Sequence, residues 1–187
     1  KIFDLSGVLA NLAVATKDFI VKTAFGIDLL CINYQIEDES SVKKLLGILS
    51  LLINDYHYIV LDLPSVMDQF VFSVLNQSDL IHILTSPDPV DLKKTHHLID
   101  RLKTDFSFQE AKIKIVINEY KFSKINYQEQ RVLLGNNIYA TLPRITLPLS
   151  GRLVLDEPDS EYAKAVRRIS RQVGDSLVGL ALGVGVG

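Results

Sequence analysis

Four apolar residues, Tyr58 to Leu61, run straight into Asp62, and Pro64 stops the run two positions later. A carboxylate placed there either caps a turn or holds something at the edge of a sheet. The same pattern recurs down the chain. "DLIHILTSPDP" (79–89) ends on Thr85 and Pro87, "IVINEY" (115–120) carries Asn118, and "IYATLPR" (138–144) carries Pro143. Each of these taken singly is an ordinary turn residue, because Asp, Asn and Pro all favour turns. Taken together they are the polar and chain-breaking ends of successive apolar runs. In open parallel sheets ligands bind beyond the carboxyl ends of the strands, so these are the residues to follow.

The elements that must carry them alternate. Residues 6–22 read as a helix and 28–35 as a strand. Val42, Leu45, Leu46, Leu49, Leu52, Ile53 and Tyr56 fall at helical spacing, with Ser40 or Ser41 as the cap. "YHYIVLDL" (56–63) reads as a strand, 66–77 as a short helix, and 79–86 as a strand. A helix over 88–103 opens on acids, which suit its positive end. A strand over 111–120, a short helix over 126–134 closed by Gly135, and a strand over 137–143 follow. Residues 159–173 make a last helix with Tyr162, Val166, Ile169 and Val173 as its apolar stripe. The strands are continuous apolar runs, so the expected fold is α/β: a doubly wound, mostly parallel sheet with helices on both faces. The expected organisation is one domain over 1–173 and an apolar, glycine-rich tail over 174–187.

Composition narrows the functional classes. The 187 residues hold 20 basic and 22 acidic side chains, a net charge of −2, which gives no general support for nucleic-acid binding. One cysteine, Cys31, excludes an internal disulfide and a cysteine metal cluster. Its apolar setting, "IDLLCIN", predicts a buried structural thiol. No secretory signal is visible, and a cytoplasmic protein is expected.

The order apolar strand–Asp–x–Pro, "DLIHILTSPDP", "IVINEY", "IYATLPR" and "LVLDEPDSEYAKAVRRISRQV" resembles the C-terminal two-thirds of a MinD/ParA-type P-loop ATPase domain. Within that family it looks most like the pilus-assembly (CpaE/TadZ) branch. The resemblance covers roughly 5–173 and implies ATP and Mg²⁺ as ligands. It makes Asp62 the Walker B carboxylate, catalytic and steadying Mg²⁺ through water, as that ion is often held. Pro64 and Ser65 would open the switch segment that senses the γ-phosphate. Asn118 would read adenine, for which an amide offers a donor and an acceptor side by side. The loop after Pro143 would line the base. The implied function is positioning a pilus, secretion or other cellular machine through ATP-dependent homodimerisation, in the cytoplasm or peripherally at the inner membrane or a cell pole. The alternative is a non-catalytic localisation scaffold that kept the fold.

The family's glycine-rich phosphate loop is the counterweight. No G-x-x-x-x-G-K-[ST] occurs in the 187 residues. In the family that loop follows a strand lying between those expected at 58–63 and 79–85. Leaving both without that neighbour would strand ladder groups at about 1–3 kcal/mol each. The expectation is therefore a chain incomplete at its N-terminus and inactive alone. Other features read as structural. His96 and His97 are adjacent on a helix and point about 100° apart, which suits no shared metal. His57 and His82 are packing residues, and Asp4 has no carboxylate partner nearby. Lys164, Arg167, Arg168 and Arg171 form a solvated face or meet a partner or a membrane surface. The 174–187 tail, at about 1.5 Å per residue, would reach only about 18 Å as a helix against a hydrocarbon core of about 30 Å.

Overall fold

In the computed structural model the described residues are 2–4, 18–24, 26–33, 39–119, 123–135, 138–145 and 157–183. They fall into two compact units, Lys1–Ser78 and Asp79–Gly187.

Among its described residues the first unit holds two short strand pairs, two longer helices and the helical residues Asp18 and Phe19. β1 (Ile2–Asp4) lies parallel to β4 (Cys31–Asn33), with Ile2 opposite Cys31. β2 (Val21–Lys22) and β3 (Asp28–Leu29) form an antiparallel hairpin. Its turn includes a left-handed residue, which Gly26 supplies at φ +75°, and Thr23 closes it by donating both its N–H and its hydroxyl to the Ile27 carbonyl. Residues 5–17, the bulk of the helix expected over 6–22, lie outside the described residues. Its expected end does not hold, because Val21 and Lys22 are taken by the hairpin. The strand expected over 28–35 divides into β3 and β4 with different partners. Cys31 is exposed and not buried: β4 sits in a sheet of two strands, too narrow to enclose it.

Helix α1 (Glu39–Leu52) buries Leu45 and Ile48 and packs against α2 (Gln69–Gln77), which buries Phe70, Val71, Val74 and Leu75. The helix starts at Glu39, so Ser40 and Ser41, expected at its cap position, lie inside its first turn. Asp68 caps α2, accepting from the Val71 N–H at 2.8 Å.

The stretch between these helices departs most from expectation. No residue from Tyr56 to Asp68 is in a strand. The period of two survives nonetheless. Tyr58 (60% exposed) and Val60 (90%) face outward, whereas Ile59, Leu61 and Leu63 are half-buried. The side chains carry a strand pattern, but no neighbour among the described residues supplies the ladder hydrogen bonds that define one.

The second unit is a parallel sheet ordered β5–β6–β7: Ile81–Thr85, Ile113–Asn118 and Ile138–Leu142. Ile81, Ile83 and Thr85 stand opposite Ile113, Ile115 and Ile117, so an isoleucine-rich face runs across β5 and β6. Helix α3 (Pro89–Thr104) packs on β5 and buries Leu92, Thr95, Ile99 and Leu102, a stripe at helical spacing. Asp88 caps it and Pro89 occupies its first turn, where a missing N–H costs nothing. A 3₁₀ turn over Glu110–Lys112 leads into β6. Short helix α4 (Tyr127–Leu133) has a reciprocal capping box between Asn126 and Glu129 and is closed by Gly135 at φ +68°. Helix α5 (Glu161–Gly183) packs against β7. It runs through the first part of the expected tail, because extending an existing helix needs no new nucleus and residues 175–182 carry one glycine. No helix among the described residues is long and apolar enough to cross a membrane. The α/β fold expected from the sequence is present as a parallel three-stranded sheet flanked by helices.

Candidate functional site

The carboxyl ends of β5, β6 and β7 come together at one rim of the second unit. Parallel register aligns Thr85 with Ile117 and Asn118 with Leu142, which puts Ser86, Asn118 and Pro143 at the same end of the sheet.

Each loop leaving that rim is tied by short-range chemistry. After β5, Ser86 donates its hydroxyl to Asp91 at 2.6 Å and accepts the Asp88 N–H at 3.2 Å. Below it, the Thr95 hydroxyl donates to the buried Thr85 hydroxyl at 2.9 Å, fixing the end of β5 to α3. Beyond β6, Glu119 takes a left-handed conformation, φ 55°, which turns the chain sharply away from Asn118. Ser123 then bridges loops, donating to the Pro87 carbonyl at 2.7 Å and accepting the Ile125 N–H at 3.1 Å. The loops after β5 and β6 are thus one braced ledge. Asn118 is exposed at its margin, and its side-chain amide makes no hydrogen bond to any described residue. Half-buried Pro143 follows β7. An exposed amide at the end of a strand can recognise a planar ligand carrying adjacent donor and acceptor groups.

Asp62, Pro64 and Ser65 lie in the first unit, and all three are exposed. Asp62 ends the unpaired apolar run, and its carboxylate has no partner among the described residues. It is free to bind a cation through water. No cluster of three or more His, Cys, Asp or Glu able to hold a metal occurs among the described residues. The run is anchored on both sides. Tyr56 donates its hydroxyl to Asp28 at 2.6 Å, and that carboxylate holds the phenol pKa above its ordinary value. On the far side stands the Asp68 cap of α2.

The remaining polar groups divide as their surroundings dictate. His57 is exposed. His96 pairs with Asp100 at 3.3 Å, and its ring stands at ordinary contact distance, 3.6 Å, from where a Cβ on Gly135 would be, while His97 is exposed. Lys164, Arg167, Arg168 and Arg171 are all exposed; Lys164 pairs with Glu161, and Arg167 donates to the Pro158 carbonyl. On the sheet, His82 and Tyr139 stack tilted at 5.7 Å with Lys114 over the tyrosine ring. His82 Nε2 and Tyr139 Oη are buried without hydrogen-bond partners.

Sequence reasoning named Asn118, Thr85 and Pro87 but not the brace between them. Ser123 has no signal that would have found it, since its partner is distant in sequence. Ser86 had one: Ser-Pro-Asp-Pro before a helix is a local capping pattern.

Comparison with known proteins establishes the fold. The crystal structure of a ParA family ATPase from Chlorobium tepidum TLS matches with a TM-score of 0.68 over 84% of this chain and 72% of that chain, at 18% sequence identity. No protein-family model and no curated protein matches the chain. At that identity the likeness speaks for architecture: the chain has a ParA-ATPase-like α/β fold.

Proposed function

We propose that this chain is the C-terminal part of a nucleotide-binding ATPase of the MinD/ParA kind, acting in the placement of a pilus, secretion or other cellular machine. The observation that carries the reading is the braced rim, where an exposed, unpartnered Asn118 amide ends the central strand of a ParA-like sheet. Asn118 would read the base, with the backbone after Pro143 beside it. Asp62 would hold Mg²⁺ through water, and Pro64 and Ser65 would lead the segment that responds to the terminal phosphate. Bound Mg·ATP would supply a transferable phosphoryl group. What these residues do is recognise and orient.

The phosphate cradle would come from sequence ahead of Lys1, in keeping with two stretches that lack a neighbour among the described residues: the run 58–62 and the outer side of β5. Homodimerisation on ATP, the pilus-assembly branch, and contact of the exposed Lys164, Arg167, Arg168 and Arg171 with a membrane surface or polar partner belong to the same proposal. A second reading, a scaffold without turnover, draws on the absence of G-x-x-x-x-G-K-[ST] from these 187 residues.

The test uses this chain and a version carrying its native upstream sequence. The 187-residue chain is expected to show no ATP turnover. In the longer protein, Asp62→Ala is expected to abolish hydrolysis while the fold persists, and Asn118→Ala to weaken a fluorescent ATP analogue more than a GTP analogue. Equal turnover with and without Asp62 would remove its assigned role. Loss of turnover throughout, with ATP still bound, would favour the scaffold.

A further inference from the structure

Directly after Asn118 the backbone takes a turn that a Cβ resists. Glu119 holds φ at 55°, in the left-handed region that few non-glycine residues enter. Such a conformation persists only where its surroundings impose it. Whatever imposes it also sets the direction in which the chain leaves the Asn118 amide. On the upstream side the constraint is the sheet: Ile117 stands in register with Thr85 and Thr141, and Asn118 with Leu142. On the downstream side it is Ser123. Its hydroxyl donates to the Pro87 carbonyl at 2.7 Å, across 36 positions of sequence, and accepts the Ile125 N–H at 3.1 Å. Both ends of that bond are themselves fixed. Pro87 is buried, and Ser86 ties its surroundings by bonding Asp91 and the Asp88 N–H. Ile125 precedes the capping box of α4, and its carbonyl accepts from the side chain of buried Gln130 at 3.2 Å.

We infer that Ser123 is a positioning residue for base recognition: by tying the chain after β6 to the Pro87 carbonyl, it holds Glu119 left-handed and so fixes the direction of the Asn118 amide. This role rests on Asn118 being the group that reads adenine, and it goes further by placing the control of that reading in a bond between two loops. The fold does not depend on the bond, because α3 is held to β5 by its buried stripe of Leu92, Ile99 and Leu102. An amide reads a base only when its donor and its acceptor face their partners together, so a small rotation loses both contacts. Contacts to ribose and phosphates do not depend on that rotation. Loss of the Ser123 hydroxyl therefore acts on the choice of base and leaves nucleotide affinity in general alone.

The test compares ribose-labelled fluorescent ATP and GTP analogues, titrated with Mg²⁺ into the protein carrying its native upstream sequence. The parent is expected to prefer the ATP analogue. Ser123→Ala is expected to reduce that preference about two- to tenfold, the range corresponding to one net hydrogen bond, with circular dichroism unchanged. Ser123→Thr, which keeps the hydroxyl, is expected to restore the preference. Ser123→Cys, nearly equal in size but a weaker donor, falls between and carries the same test at almost unchanged packing. In an Asn118→Ala background, Ser123→Ala is expected to change the preference no further, because it acts through that amide. Where Asn118→Ala lowers the preference but Ser123→Ala leaves it unchanged, weakens both analogues equally, or has its full effect without Asn118, the role of Ser123 is overturned and the adenine reading stands. A parent without preference, or one whose preference survives Asn118→Ala, overturns both.

Discussion

Thr85 and Thr95 give the most direct test of how the rim is held. Both are buried, each 7% exposed, and their hydroxyls meet at 2.9 Å, Thr95 donating and Thr85 accepting. Thr85 in turn donates to the Ser86 carbonyl, at a long 3.3 Å. Valine has nearly the shape of threonine without the hydroxyl, so three variants separate the terms. Thr95→Val removes the donor but leaves Thr85 its contact to Ser86, and the loss is about 1 kcal/mol, the usual net value of a hydrogen bond. Thr85→Val leaves the Thr95 hydroxyl buried without its acceptor and costs more, about 1–3 kcal/mol. With both replaced, no hydroxyl is stranded, and the double variant is expected to be more stable than Thr85→Val alone. On a unit of about 100 residues, 1 kcal/mol moves the midpoint by about 4–8 °C. Thermal unfolding followed by β5 hydrogen exchange, which isolates the second unit, reads the cycle. Strictly additive losses would mean that the two hydroxyls do not interact, and the anchoring of β5 to α3 would have to be argued from apolar packing alone.

Two further outcomes follow from the same unit. His82 has its pKa lowered, first by burial and then by Lys114 across the parallel register, and no carboxylate among the described residues partners it. The unfolded chain then binds the proton more readily, so stability is level above the ordinary histidine pKa of about 6.5 and falls as pH drops through and below it; urea melts at pH 7 and pH 5 should show a smaller difference for His82→Phe than for the parent. Asn126→Ala removes the reciprocal cap of α4, in which Asn126 accepts from Glu129 at 3.0 Å and Glu129 from Asn126 at 2.7 Å, and should lower the denaturant-derived stability by about 0.5–2 kcal/mol, with Asn126→Ser recovering most of it.

The second unit was legible because its signals are local and strong. Continuous runs of β-branched residues mark β5 and β6, Asp88-Pro89 marks the start of α3, and Asn126 with Glu129 marks the start of α4. Those signals also located the rim, since a parallel sheet aligns the ends of its strands. The first unit was less legible because its structure depends on partners. Val21 and Lys22 look helical in sequence and become a strand because Asp28 and Leu29 pair with them. Cys31 sits in apolar sequence and is exposed because its sheet has two strands. Glu119 and Ser123 act through backbone conformation and a long-range contact, which composition and periodicity do not encode.

The run 58–62 joins both lessons and sets a condition on any role for Asp62. A carboxylate organises Mg²⁺ usefully only when its backbone is held closely, because a misplacement of about 1 Å costs about a hundredfold in rate. Here the holding is at the flanks, through Tyr56 with Asp28 and the Asp68 cap, and no strand among the described residues pairs with the residues between. Tyr58 and Val60 are exposed while Ile59 and Leu61 are half-buried, the alternation that one face of a sheet requires. A strand pairing with that run would fix Asp62 as well. On the proposed function, metal affinity at Asp62 and protection of the 58–62 amides must appear together, and a chain in which one is present without the other would separate the carboxylate from the chemistry assigned to it.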